Sequence, residues 1–248
     1  AKKDGAKVYI KTAEGENNTE IPSDKLTLEV TKDGTPVGMD AKANAGTYKV
    51  KLVYTDNNQT YTVDEKTFTI TPKTVKITAN GTITKEYNGS PALPAGVTND
   101  SFTKTGAYET VVIDPSALQY ARADASTTAI NIVLAEDKTT CLTGDAAANY
   151  NVDLSELKGT ITARQLTVTP KAKTFEYGEN DKITNALTTE FDYAGKNGDL
   201  PSGLTPTFTG SMKLTTTSGA GVTVYNAGTY NVALGNLSLT GTSAGNYQ

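Results

Sequence analysis

The feature that most constrains this chain is that it repeats itself. Thr69-Ile70-Thr71-Pro72-Lys73-Thr74-Val75-Lys76-Ile77-Thr78 answers Thr160-Ile161-Thr162-Ala163-Arg164-Gln165-Leu166-Thr167-Val168-Thr169 without a gap, at an offset of 91 residues from Ile70 to Ile161. Self-similarity on this scale marks tandem modules, each one supersecondary unit or small domain. Both stretches read as strand, basic residue, strand, so each is expected to join the last strand of one module to the first strand of the next. A connector of two or three residues is expected to hold neighbouring modules close and limit their bending.

Two further elements recur in order. Glu86-Tyr87-Asn88-Gly89 answers Glu176-Tyr177-Gly178, an aromatic strand end running into a glycine turn that needs a positive φ. Asn44-Ala45-Gly46-Thr47-Tyr48 is repeated identically at Asn226-Ala227-Gly228-Thr229-Tyr230, and Asp124-Ala125-Ser126 is a weaker echo. This pattern reads as a tight turn opening a core strand, with the tyrosine hydroxyl anchored on nearby backbone. Tyr61-Thr62-Val63, Tyr150-Asn151-Val152 and Tyr247 form a fourth echo late in each module. Only Gln248 follows Tyr247, so the third module is expected to lack its closing strand or to have a neighbouring molecule cover the gap.

Between these markers, period-2 alternation dominates. Lys25–Val30, Tyr48–Tyr54, Thr74–Thr78 and Gln165–Thr169 alternate polar and apolar residues, the pattern of half-buried strands. Turn signals separate them at Lys32-Asp33-Gly34-Thr35-Pro36, Asp56-Asn57-Asn58, Asn80-Gly81, Asn88-Gly89-Ser90-Pro91 and Lys196-Asn197-Gly198-Asp199. Asp33-Gly34 is expected to turn a hairpin. Asp114-Pro115-Ser116-Ala117-Leu118 carries a cap residue and then proline, the start of a short helix. The fold class is therefore all-β: three tandem small domains, elongated, with an immunoglobulin-like sandwich favoured and a β-grasp-like sheet crossed by a helix as the alternative. The boundaries are 1–71, 72–163 and 164–248. Small-angle scattering is the test of the elongated arrangement.

Composition narrows the chemistry. Apolar residues make up 37% of the chain, too few for one large core. There is no histidine and no tryptophan, and Cys141 is the one cysteine. The commonest general base is thus missing, and Cys141 alone builds neither an intramolecular disulfide nor a zinc site. It reads as a small buried hydrophobe. A net charge of −4 with interspersed lysines offers no basic stripe to phosphate, so no nucleic-acid partner is expected. No stretch approaches the ~18 apolar residues of a membrane span. The chain begins at Ala1 rather than Met, which reads as a segment of a longer product.

Several candidate sites are weighed and set aside. Sequons at Asn17, Asn58, Asn80, Asn88, Asn99 and Asn236 are what an Asn- and Thr-rich chain produces by chance. Asp56-Asn57-Asn58 and Asn180-Asp181 carry oxygen ligands but no calcium-loop spacing and read as solvated turns. Gly219-Ala220-Gly221 has no helix pattern after it to make a phosphate cradle. Tyrosines at module-equivalent positions favour packing over sugar binding. Catalytic, cofactor and metal residues are accordingly none, and no enzyme is expected.

The order of motifs resembles the MBG domains, of the YGX type, of bacterial surface proteins. The third module carries Leu166-Thr167-Val168-Thr169, Phe175-Glu176-Tyr177-Gly178-Glu179, Gly198-Asp199-Leu200, Phe208-Thr209-Gly210, Asn226-Ala227-Gly228-Thr229-Tyr230 and Gly245-Asn246-Tyr247. The middle module, with Lys85-Glu86-Tyr87-Asn88-Gly89, is closer to the related YDG type but has Asn88 where that type has Asp. The first module resembles a generic bacterial immunoglobulin-like domain. The resemblance covers residues 73–248. It implies a secreted, extracellular or cell-wall-associated surface protein in which these modules are non-catalytic stalk or spacer repeats. The alternative it implies is an adhesin module binding host glycan or protein. Partners are then neighbouring repeats of the same chain, with the chain itself a monomer.

Overall fold

A computed structural model describes residues 8–10, 19–196, 198 and 200–248. The fold is mostly β, in several small sheets, with one α-helix among the described residues. Asn17, Asn197 and Asp199 lie outside the described residues. The chain divides into two compact units. One comprises residues 1–75, 106–111 and 144–151, the other 76–105, 112–143 and 152–248.

In the first unit, β1 (Tyr9–Ile10) and β2 (Thr19–Glu20) form a two-stranded ladder. β3 (Leu26–Lys32), β4 (Thr35–Pro36), β5 (Gly46–Asp56) and β6 (Gln59–Ile70) form an antiparallel sheet in the order β4-β3-β5-β6. Asp33 and Gly34 turn the β3–β4 hairpin at φ +50° and +86°, as their sequence suggests. Asn57 and Asn58 turn the β5–β6 hairpin at φ +47° and +63°, the left-handed region that asparagine tolerates. Leu26 and Tyr48 are buried on one face of the sheet and Val53 on the other. Edge strand β6 is almost wholly exposed and carries Asp64-Glu65-Lys66, the charged chemistry that keeps an edge from pairing promiscuously. Tyr61-Thr62-Val63 belongs to this strand, so Tyr61 is not the counterpart of Tyr150 and Tyr247. Those two each follow a 3-10 turn instead, Ala147–Asn149 and Ala244–Asn246.

After β6 the chain enters β7 (Lys73–Ala79) two residues later. It continues through β8 (Thr84–Glu86), β9 (Phe102–Thr105), β10 (Val112–Ile113), β11 (Leu118–Tyr120), β12 (Ile130–Leu134), β13 (Leu142–Thr143), β14 (Tyr150–Asp153) and β15 (Lys158–Thr162). One sheet runs β14-β7-β9 and another β11-β12-β15-β8. In the second, β15 is antiparallel to β12 and parallel to β8. Ile77, Ile113, Tyr120, Ile132, Leu157 and Ile161 are essentially inaccessible to solvent. At the expected helical start, Asp114 caps a 3-10 turn, Pro115–Ala117, by accepting the Ser116 amide at 2.9 Å.

Residues 164–248, read from sequence as a third module, repeat this order in reduced form. They contain β16 (Leu166–Pro170), α1 (Asn180–Thr189), β17 (Phe191–Gly195), β18 (Thr207–Thr209), β19 (Lys213–Thr215), β20 (Asn231–Ala233) and β21 (Ser238–Thr240). Their ladders among the described residues are two-stranded: β16-β17, β18-β21 and β19-β20. Asn180-Asp181, read from sequence as a solvated turn, instead opens α1. Leu187 of this helix packs on Met212 and Leu237, with Ile183 alongside. That burial stabilises a helix whose threonines and asparagines favour helix weakly.

Candidate functional site

Two constellations stand out, and both are built on recurring motifs. The first is a joint between asparagine and a turn. Asn149 places its Oδ1 2.8 Å from the Ala45 amide and donates through Nδ2 to the Asn44 Oδ1 at 2.9 Å. Asn246 does the same to the equivalent turn. Its Oδ1 accepts the Ala125 amide at 2.7 Å, and its Nδ2 donates to the Asp124 carboxylate at 2.8 Å. A carboxamide suits this task because it offers an acceptor and a donor side by side. The tyrosines that follow are buried and complete each joint. Tyr150 Oη accepts the amides of Tyr108 and Glu109 at 3.0 and 3.1 Å. Tyr247 packs edge-on against Tyr87 with ring centroids 5.6 Å apart.

The turn motif itself behaves as its sequence suggests. Tyr48 Oη donates to the Asn44 carbonyl at 2.8 Å, and Tyr230 Oη donates to the Asn226 carbonyl at 2.8 Å. Sequence singled out the tyrosines, and Asn246 within the motif Gly245-Asn246-Tyr247, but not Asn149. The signal for it is the shared Ala/Gly-Asn-Tyr triplet, legible only once the modules are aligned.

A shallow pocket of about 260 Å³ lies beside the first joint. Lys73 Nζ sits 3.5 Å from the Tyr108 ring centroid, and hydrogen bonding to Lys73, then its positive charge, holds the Tyr108 phenol below its ordinary value. Lys42 pairs with Glu109. The polar groups here are already engaged in holding the joint.

The second constellation is a groove of about 530 Å³ in the third module. Residues 170–178 form one wall and residues 225–230 the other; Leu187, Met212 and Val232 line its floor. Its charged groups come in both signs. Lys173 pairs with Glu190 at 3.2 Å. Tyr177 at its rim is 79% exposed, whereas its counterpart Tyr87 is 7% exposed.

The remaining sequence candidates fall into structural roles. Cys141 is buried, and burial pushes its thiol up to about 11. Asn99 Oδ1 accepts the Ile113 amide and the Lys104 ammonium, and Asn236 Oδ1 accepts the Ser211 amide. Gly219 and Gly221 lie in a turn closed by the Thr216 amide on the Ala220 carbonyl. Among the described residues, no group of three or more His, Cys, Asp or Glu side chains comes together. Among the same residues, no helix is long and apolar enough to cross a membrane. No protein-family model, curated protein or solved structure matches the chain.

Proposed function

We propose that this chain is a run of non-catalytic stalk or spacer repeats from a secreted bacterial surface protein, with modules of MBG and immunoglobulin-like type. The observation that carries the reading is the joint made twice from the same parts. An Ala/Gly-Asn-Tyr turn presents one asparagine to the Asn/Asp-Ala turn found one module earlier in sequence. A joint that recurs with sequence period is the means by which an array extends by adding identical units, each stabilised by its neighbour. The ordered MBG-like motifs of residues 73–248 support the extracellular assignment.

The test is accessibility on living cells. Antibodies raised against the purified chain are expected to label intact cells of the source organism, and external protease is expected to abolish the labelling. Labelling that requires permeabilised cells overturns the reading.

A further inference from the structure

The groove of the third module has a counterpart in the middle module, where a strand fills it. There β15 runs between β12 and β8, with Ile161 fully buried. Its backbone is bonded on both sides. The Thr160 amide donates to the Ile83 carbonyl at 2.9 Å, the Tyr87 amide to the Thr162 carbonyl at 2.8 Å, and the Ser126 amide to the Ile161 carbonyl at 2.8 Å. The first module uses the same pairing. Thr69-Ile70 of β6 lies antiparallel to Gly46-Thr47, beside the Asn-Ala-Gly turn. The trio Thr-Ile-Thr therefore sits against the Asn/Asp-Ala-Gly/Ser turn twice in this chain.

In the third module both walls of that slot are present and neither is laddered to a strand there, the Glu176 amide and carbonyl being bonded to Glu179 instead. The counterpart of β8 is Thr174–Glu176, which lies outside any strand. The counterpart of the Ser126 side is Gly228–Tyr230, and the amides of residues 227–229 have no hydrogen-bond partner among the described residues. The apolar floor is half-covered. Val232 and Leu214 are partly exposed, whereas Ile132 and Tyr120, at the equivalent ladder positions, are fully buried.

We infer that this groove binds an extended segment of the Gly-Thr-Ile-Thr type by strand addition. The incoming strand runs antiparallel to Gly228–Asn231 and parallel to Thr174–Glu176, in the register β15 holds between β12 and β8. Main-chain hydrogen bonds to two walls supply the affinity. The single isoleucine, facing the Leu187–Met212–Val232 floor, supplies the selectivity. The occupant is an extended peptide segment of that alternating pattern; a sugar or a folded globular partner satisfies neither wall. This inference stands apart from the surface-stalk reading, since a strand-accepting groove operates in any compartment.

The experiment extends the full chain. Because Tyr247-Gln248 aligns with Tyr150-Asn151, a second copy of Val152–Arg164 is fused directly after Gln248. Native-state amide exchange is then compared between the parent chain, the extended chain and an extended chain with Ile161→Asp in the added copy. Exchange at Gly228, Thr229 and Phe175 is expected to slow at least about tenfold in the extended chain and to return to the parent rate in the Ile161→Asp version. The amides of Ser126 and Thr160 in the original middle module serve as internal references and stay protected throughout. Unchanged exchange at the groove overturns the inference, as does equal protection by the aspartate version. Loss of the reference protection in the extended chain also counts against it.

Discussion

Asn246 is the residue whose removal is most informative. It is 4% exposed, and its Oδ1 is the partner of the Ala125 amide. Replacing it with alanine leaves that amide and the Asp124 carboxylate without their partner, which costs about 1–3 kcal/mol. Urea unfolding of Asn246→Ala reads this directly. Asn246→Asp keeps the size and one acceptor but sets a second carboxylate against Asp124. That variant is expected to be less stable than Asn246→Ala at pH 7 and to regain stability on acidification, because like charges raise the introduced carboxyl and protonation relieves them. A denaturation midpoint for Asn246→Asp that is flat between pH 7 and pH 4 contradicts this account. Cys141 makes the opposite use of burial. Its folded thiol, near 11, titrates above an unfolded thiol at its ordinary value, so between the two the unfolded chain sheds the proton first. Stability contributed by the neutral thiol is present below the unfolded value and is lost as pH rises towards 11. A thiol reagent at pH 8 is accordingly expected to label Cys141 only at the rate of unfolding, and fast stoichiometric labelling of the native chain refutes it.

At the scale of elements, strand β15 shows what a central position demands. A Cβ on Gly159 would lie 2.6 Å from the Ile83 carbonyl oxygen and 2.8 Å from Tyr120 Cε1. Backbone and a fully buried ring both resist displacement, so Gly159→Ala is expected to cost about 1–3 kcal/mol through overpacking, measured by thermal unfolding. An alanine variant as stable as the parent means that the β8–β15 pair is looser than its geometry. Sequence made several elements legible, and the reasons differ. The hairpin turns at Asp33-Gly34 and Asn57-Asn58 were readable because a positive φ restricts residue choice. The 91-residue offset located β7 and β16, since both keep alternating strand chemistry. Helix α1 was not readable. Its apolar residues, Ile183, Ala186 and Leu187, cover too short a stripe to stand out among Thr184, Asn185, Thr188 and Thr189, and tertiary burial of Leu187 overrides weak propensity. The asparagine joints were hidden for another reason. A side chain that bonds a backbone amide about a hundred residues away, as Asn149 does with Ala45, leaves no local pattern.

Across the molecule, the middle and third modules show how one sequence plan yields two levels of burial. Val75 and Ile77 align with Leu166 and Val168 at the same offset. The first pair is fully buried and the second only partly so. The physical cause is the number of strands that close over them. β7 lies between β9 and β14, whereas β16 is laddered to β17 alone; beside it, Arg164 bridges to Tyr247 and the Leu166 amide donates to the Gln248 carbonyl at 2.7 Å. Leu214 and Val232 are likewise only partly buried where Tyr120 and Ile132, at the equivalent ladder positions, are fully so. At roughly 25 cal/mol per Å² of apolar surface, two such side chains are worth a few kcal/mol of local stability. The third module is therefore expected to open before the middle one, although it shares one compact unit with much of the middle module. Native-state hydrogen exchange in increasing urea resolves the order. Amides of β16 and β19 are expected to exchange through partial opening at urea concentrations where β12 and β15 still require global unfolding. A single isotherm shared by all four strands refutes the expectation. It would mean that the joint at Asn246, with its bonds to Ala125 and Asp124, couples the two modules tightly enough to outweigh the unequal cores.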